Sequence, residues 1–391
     1  MLRKTLNISI KDLFVKKDCF TTASSSILKN YRATYDSQVI RVLISKKYNL
    51  TSKVISDEFG VGTLGLNVRD QIIEFFNFKT SFKDLPDKKN YQNCIDPSLP
   101  IGGSSSGSVI SLFQDGVDLS ICTDTGGSSA VPALLHRVYG FKPSNHIITR
   151  AGLISYNELF DCVSFITADI DNLVQVWNDL KTSTKGDLQC SSLKPKLLDP
   201  LVDTFKKIVT IEISGNQIIK GSRTKTIDWS KIFKFYRFFT SISLFSNLNR
   251  YDGFRWNNNE LKLNKRYSRQ TFLTEQKKYL KEETSNKNYR GYQLAKKEEN
   301  FNRFYRYYFK ILKLRDYFKK KKLTLWIIKN SFEELLESDH LEPGVTYKTD
   351  GFLALANILG FPRLTTRDKK ILIATQGTDD LILEFAKNNN Y

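Results

Sequence analysis

The sequence predicts an α/β fold with a largely buried sheet, and three observations carry that expectation. Short β-branched runs (NISI, KVIS, DLSIC, VSFIT) alternate with helix-like stretches between about Leu6 and Leu180. Glycine-rich loops fall between those elements rather than inside them. The chain has 391 residues, 40% hydrophobic and 13% aromatic, enough to bury one large core or two ordinary ones.

Taken in order, NISI reads as the first strand and TYDSQVIRVLISKKY as the first helix. KVIS, DLSIC and VSFIT read as strands because β-branched residues fit a pleated surface, whereas RDQIIEFFNF and DNLVQVWNDL read as helices. From about Ser243 to Lys322 the texture turns helical and charged, with Phe304, Tyr305, Tyr307, Tyr308, Phe309 and Tyr317 interleaved with basic residues. Such interleaving is able to bind nucleic acid by stacking and phosphate contacts, but the preferred reading is amphipathic helices whose aromatics enter the core. TDGFLALANILGF and then KKILIATQGTDDLILEFAKNN read as a last α/β stretch that returns to the sheet. No internal repeat is visible. The expected organisation is a single domain over residues 1–391 with a helical, basic subregion at about 243–322.

Charge is unevenly distributed. The formal net charge is +19, and residues 261–322 hold 20 basic against 6 acidic side chains, so most of the excess is local. This block is either a solvated helical face or a surface that meets nucleic acid or an acidic partner. The five cysteines are widely spaced, without CxxC or histidine at metal-ligand spacing, which fits free thiols in a reducing compartment and predicts no metal site. No apolar run reaches 18 residues, so no membrane span is expected. The opening MLRKTLNISIK places three basic residues before the first acid, compatible with mitochondrial import though short for a transit peptide.

The unusual stretch is Ile101 to Ser144, which holds seven of the 20 glycines and nine serines in 44 positions. Glycine before serine lets backbone approach closely, and the serines are what such loops present. A serine nucleophile needs a base, yet the chain has only His136, His146 and His340, and His136 sits in the apolar run VPALLH as a core or surface residue. A buried lysine held neutral is the alternative base; composition does not say which one. The loop before VISLFQ could instead hold phosphate at a helix N-terminus, but it lacks the lysine of GxxxxGK[ST] and the spacing of GxGxxG.

GGSSSGS (Gly102 to Ser108), TDTGGSSAVPA (Thr123 to Ala133) and YGFKPS (Tyr139 to Ser144) resemble the amidase signature family, with SIKD supplying the lysine strand and Ser104 and Ser128 at the family's spacing of 24. The resemblance implies a central mixed sheet flanked by helices on both sides and a Ser-cisSer-Lys triad. Ser128 is then the nucleophile, Ser104 the relay after a cis Gly103-Ser104 bond, and Lys11 the general base. Backbone N–H groups of Thr125, Gly126, Gly127 and Ser128 are expected to face the oxyanion. Two positions depart from the family pattern: Ser106 stands where glycine is usual, and Ser128-Ser129-Ala130-Val131-Pro132 lacks the arginine of S-[IV]-R-x-P.

Within the family, SDEFGVGTLG, RYDGFRW and YKTDGFLALANILGFPRLT resemble the A subunits of glutamyl-tRNA(Gln) amidotransferases. That resemblance implies glutamine as the amide, with ammonia passed on to convert Glu-tRNA(Gln) to Gln-tRNA(Gln). It assigns Tyr251 and Asp350 to the substrate's α-amino end, and Arg290 is the candidate for its carboxylate. It implies a B subunit that uses ATP and magnesium and contacts tRNA, a small third subunit, no cofactor in this chain, and a fungal mitochondrial-matrix form, the alternative being cytoplasmic. A free-standing small-amide amidase and an inactive assembly module on the same fold are the competing readings.

Overall fold

The computed structural model describes residues 4–68, 76–77, 91–114, 116–182, 187, 194–201, 203–214, 217–226, 228–251, 280–319, 323–329 and 347–391. Its described strands form one sheet in the spatial order β3 (Phe76–Asn77), β2 (Asn49–Val54), β1 (Asn7–Lys11), β4 (Leu119–Asp124), β6 (Cys162–Thr167), β5 (Tyr139–Lys142), β11 (Arg363–Thr365), β12 (Ile371–Ala374), β10 (Thr324–Lys329), β7 (Lys207–Ser214), β8 (Gln217–Lys220), β9 (Arg223–Thr226). β1 runs parallel to both β2 and β4, and β10 runs parallel to β7. The other pairings are antiparallel, so the sheet is mixed.

Alternation along the strands explains how both faces are covered. Ile121, Leu372 and Ala374 face one core, which α1 (Gln38–Ser45), α4 (Ile170–Leu180) and α9 (Asp379–Asn388) cover through Val39, Ile40, Leu43, Val176, Trp177 and Leu383. Cys122, Ile371 and Ile373 face the other side, toward α2 (Ser106–Gln114), α3 (Ala130–Leu135) and α8 (Tyr347–Leu359). Every residue of β4 and β6 is buried, including the polar Ser120, Thr123, Asp124, Ser164 and Thr167. The helix starts are locally encoded: Ser37 accepts from Ile40 N–H to cap α1, and Asp169 accepts from Asp171 N–H to cap α4.

A second helical layer lies over α8. It consists of α5 (Trp229–Leu248), α6 (Glu282–Ala295) and α7 (Glu298–Lys319). The aromatic run of α7 divides by helical spacing. Phe304 and Tyr307 pack against Phe235, Phe238 and Phe239 of α5, with half-buried Tyr308 in the same cluster. Tyr305, Phe309 and Tyr317 are exposed, together with Phe301. The core-packing reading therefore holds for the inner face, while the outer face leaves its rings exposed. Of the basic block, residues 261–279 and 320–322 lie outside the described residues, as does most of RDQIIEFFNF. Within that stretch Phe76–Asn77 pairs antiparallel with β2 rather than forming helix. No described helix is long and apolar enough to cross a membrane.

Candidate active site

Lys11 is the last residue of β1 and is fully buried. Its Nζ donates to Ser104 Oγ at 2.7 Å and to Ser105 Oγ at 3.0 Å. Burial draws the ammonium's pKa down to about 8, against the opposing pull of Cys122, Asp57, Asp124 and Asp161. The Gly103-Ser104 peptide bond is cis. Ser104 C=O accepts from Asp57 N–H at 3.0 Å, and Asp57 Oδ1 accepts from Asn67 N–H at 2.9 Å. A Cβ on Gly103 would lie 2.0 Å from Asp57 Oδ2, so this position admits only glycine. Asp57 is itself buried, and burial, reinforced by Glu283, pushes its pKa up to about 7.

The TDTGGS loop runs from the end of β4 into α3 and presents half-buried Ser128. Ser128, Gly103, Gly126, Tyr236, Lys287 and Asp350 line one crevice of about 20 Å³. A Cβ on Gly126 would approach Tyr236 Oη to 2.5 Å, and one on Gly127 (φ +127°) would approach Leu353 Cδ1 to 2.7 Å. The loop's glycines are thus required by the closeness of α5 and α8. Buried Asp124 organises the loop from below, accepting from Gly127 N–H at 3.0 Å and from Ser129 N–H and Oγ at 2.8 Å each. Burial raises the Asp124 pKa, but the Arg363 guanidinium and the Ser129 bonds outweigh it and hold the carboxylate below its ordinary value. Thr125 Oγ1 donates to Asp161 at 2.7 Å.

The expected site residues are distributed as follows. Lys11 and Ser104 are in direct contact, and the loops of Ser104 and Ser128 meet at the crevice. Among the expected oxyanion donors, the N–H of Gly127 is committed to Asp124, so that donor is corrected: it points into the loop's own support. Asp350 lines the crevice and accepts from Thr63 Oγ1 at 2.8 Å. Arg290 lines the adjoining cavity of about 920 Å³, which shares Asp350 and Lys287 with the crevice. Tyr251 lies elsewhere, stacked on Phe59 with ring centroids 5.8 Å apart, and the rest of its RYDG element is outside the described residues. His136 is buried, accepting from Cys94 N–H, and takes no part in the crevice.

Sequence reasoning missed Lys287, Tyr156 and Tyr236. Lys287 Nζ lies 5.2 Å from the Tyr156 ring centre. Burial opposes its charge, but Tyr156, Glu283 and Asp350 outweigh burial and raise its pKa. Lys287, with its charged form favoured, therefore lines the same crevice as Ser128. These three residues come from separate segments, and no spacing along the chain marks them.

The amidase family model matches residues 5–220, more than half of the chain and all of the Lys11, Ser104 and Ser128 segments. The chain belongs to the amidase signature family. The A subunit of the mitochondrial glutamyl-tRNA(Gln) amidotransferase of Candida albicans is 31% identical over 278 residues, covering 64% of this chain and 57% of that protein. The corresponding Yarrowia lipolytica protein is 34% identical, covering 58% of this chain and 46% of its own. A bacterial counterpart, from Leptospira interrogans, is 27% identical over 66% of this chain and 54% of its own. The chain spans about half the length of these curated relatives. Among solved structures, Kluyveromyces lactis allophanate hydrolase matches with TM-score 0.65 at 18% identity, covering 98% of this chain and 61% of that one. A 6-aminohexanoate cyclic dimer hydrolase matches with TM-score 0.68 at 15% identity, covering 97% and 83%. These two share the amidase fold.

Proposed function

We propose that this chain is the glutamine-hydrolysing subunit of a glutamyl-tRNA(Gln) amidotransferase, working in fungal mitochondrial translation. The observation that carries the chemistry is the 2.7 Å contact between buried Lys11 Nζ and Ser104 Oγ, behind a crevice that presents Ser128. Neutral Lys11 takes a proton from Ser104, which takes one from Ser128 as its Oγ bonds the amide carbon of glutamine. The negative charge moves to the carbonyl oxygen, where N–H groups of the Thr125–Ser128 loop other than Gly127 stabilise it. The C–N bond then breaks, the relayed proton passes to the leaving nitrogen, and ammonia departs from a glutamyl ester on Ser128. Water entering by the same relay releases glutamate. Asp350 suits the substrate's ammonium group, and Lys287, with Arg290 beyond it, suits the carboxylate.

Ammonia is useful to this system only if it reaches an activated tRNA-bound glutamate. That step, with its ATP and magnesium, falls to a B subunit, with a small third subunit completing the complex. The amidotransferase relatives named above support this assignment. Ser128→Ala should abolish glutamine hydrolysis without changing the circular dichroism spectrum. Hydrolysis by the folded variant at the parent rate would remove Ser128 as nucleophile. Isolation of the native protein without a partner, active on small amides, would favour a free-standing amidase.

A further inference from the structure

The family signature carries arginine where this chain has Ala130, while a buried carboxylate stands close by. Asp124 is fully buried and takes hydrogen bonds from Gly127 N–H, Ser129 N–H, Ser129 Oγ and, at 3.1 Å, Asn357 Nδ2. Neutral donors do not cancel a buried charge, which is costly unless a cation pairs it. The cation comes from β11. Arg363, also fully buried, donates through Nη2 to Asp124 Oδ2 and through Nη1 to Leu353 C=O at 2.8 Å. Lys142, cross-strand to Arg363, is engaged with Pro143 C=O, Asn145 Oδ1 and Phe361 C=O instead.

We infer that Arg363 is a positioning residue that supplies, from a distant strand, the guanidinium missing at position 130, and that it locks the Ser128 loop to the helix bearing Asp350. Ala130 directly follows Ser129, whose N–H and Oγ both end on Asp124 Oδ2. The second arm of Arg363 explains the coupling. Leu353, whose carbonyl it holds, packs its side chain over Gly127 and follows Asp350 by one turn of α8. One guanidinium therefore fixes the nucleophile loop on one wall of the crevice and Asp350 on the other. A planar fork is able to hold both acceptors at once, which a lysine ammonium on a flexible stem does less well.

The kinetic arm of the test rests on the proposed role of Ser128; the exchange arm does not. In the full chain with its copurifying subunits, Arg363→Ala should lower kcat about 100-fold, the scale of a misplaced catalytic group. Amide exchange at Gly127 and Ser129 should speed up while exchange in β4 and β6 stays slow. Adding Ala130→Arg to that variant should recover at least about tenfold in kcat, the rate effect of roughly 1.4 kcal/mol of transition-state stabilisation, and restore protection of both amides. Parent-level kcat and protection in Arg363→Ala would overturn the inference. So would a double variant that regains melting temperature but neither kcat nor protection. If Arg363→Ala does not fold, Arg363→Lys decides: a reduced kcat with faster Gly127 exchange is expected, and parent values of both would overturn it. If the parent itself hydrolyses no glutamine, the functional proposal fails while the exchange comparison still decides the role of Arg363.

Discussion

In the proposed mechanism Lys11 has to lose a proton before it acts as a base, and its surroundings set the pH at which it does so. With burial drawing its pKa down to about 8, kcat/KM for glutamine should rise with pH through an apparent pKa near 8 and then level off. A profile flat from pH 6.5 to 9.5 would remove Lys11 as the base. Asp57 titrates in the opposite sense. In the folded chain it keeps its proton up to about pH 7, whereas an unfolded aspartic acid loses it near pH 4. Between those values the folded state binds more protons, so this group makes stability fall as pH rises, by at most about 1.4 kcal/mol per pH unit. Asp57→Asn should therefore gain stability over the parent progressively from pH 4 to 7 and hold a constant gain above. Denaturant midpoints across that range measure it, and a pH-independent difference would contradict the assignment. Of the two residues, only Lys11 was within reach of sequence reasoning. Lys11, Ser104 and Ser128 were legible because each sits in a contiguous motif, whereas the charge state of Asp57 depends on Glu283, far along the chain.

At the scale of elements, what the sequence revealed was local and what it concealed was long-range. β1, α1, β4, β6 and α4 follow from residue type and spacing, since each buries a face that its own sequence defines. The ordering of β11, β12, β10 and β7 across the sheet does not: β11 and β12 form a local hairpin, but β11 pairs with β5 and β10 with β7, strands far back in the chain. Arg363 illustrates this: it reads as an ordinary residue after Pro362, and its partner Asp124 is 239 positions away. The contact of α5 with α6 has the same character. A Cβ on Gly291 of α6 would fall 2.1 Å from Ser241 C=O in α5, so the helices approach at a backbone-to-backbone crossing. Gly291→Ala should force them apart and destabilise by about 1–3 kcal/mol, the usual cost of overpacking, despite the better helix propensity of alanine. A melting temperature lowered by several degrees is the expected result; an unchanged or raised one would mean that the crossing is looser than the structure shows. Because Lys287 precedes Gly291 by one turn, the KM for glutamine should rise with it.

The whole molecule carries +19, and α7 shows where part of that charge meets solvent. Its outer face exposes Phe301, Tyr305 and Phe309 at successive i, i+4 positions, flanked by exposed Arg306, Lys310 and Lys313. The inner face of the same helix already supplies the packing against α5, so the outer side chains are not needed for the core. Basic charge beside exposed rings suits an acidic partner surface or the phosphates and bases of RNA. In the proposed amidotransferase, replacing Arg306, Lys310 and Lys313 with Gln should weaken assembly or tRNA-dependent amidation. It should leave glutamine hydrolysis by the chain at its parent rate, since none of these side chains lines the crevice. The loss should be larger at low salt, where exposed charges are less screened, and should shrink as ionic strength approaches physiological values and the screening length falls to about 8 Å. Fluorescence anisotropy with labelled tRNA and sedimentation of the complex, each across a salt series, separate the two partners. Unchanged affinity for both at low salt would make the face of α7 a solvated helix surface.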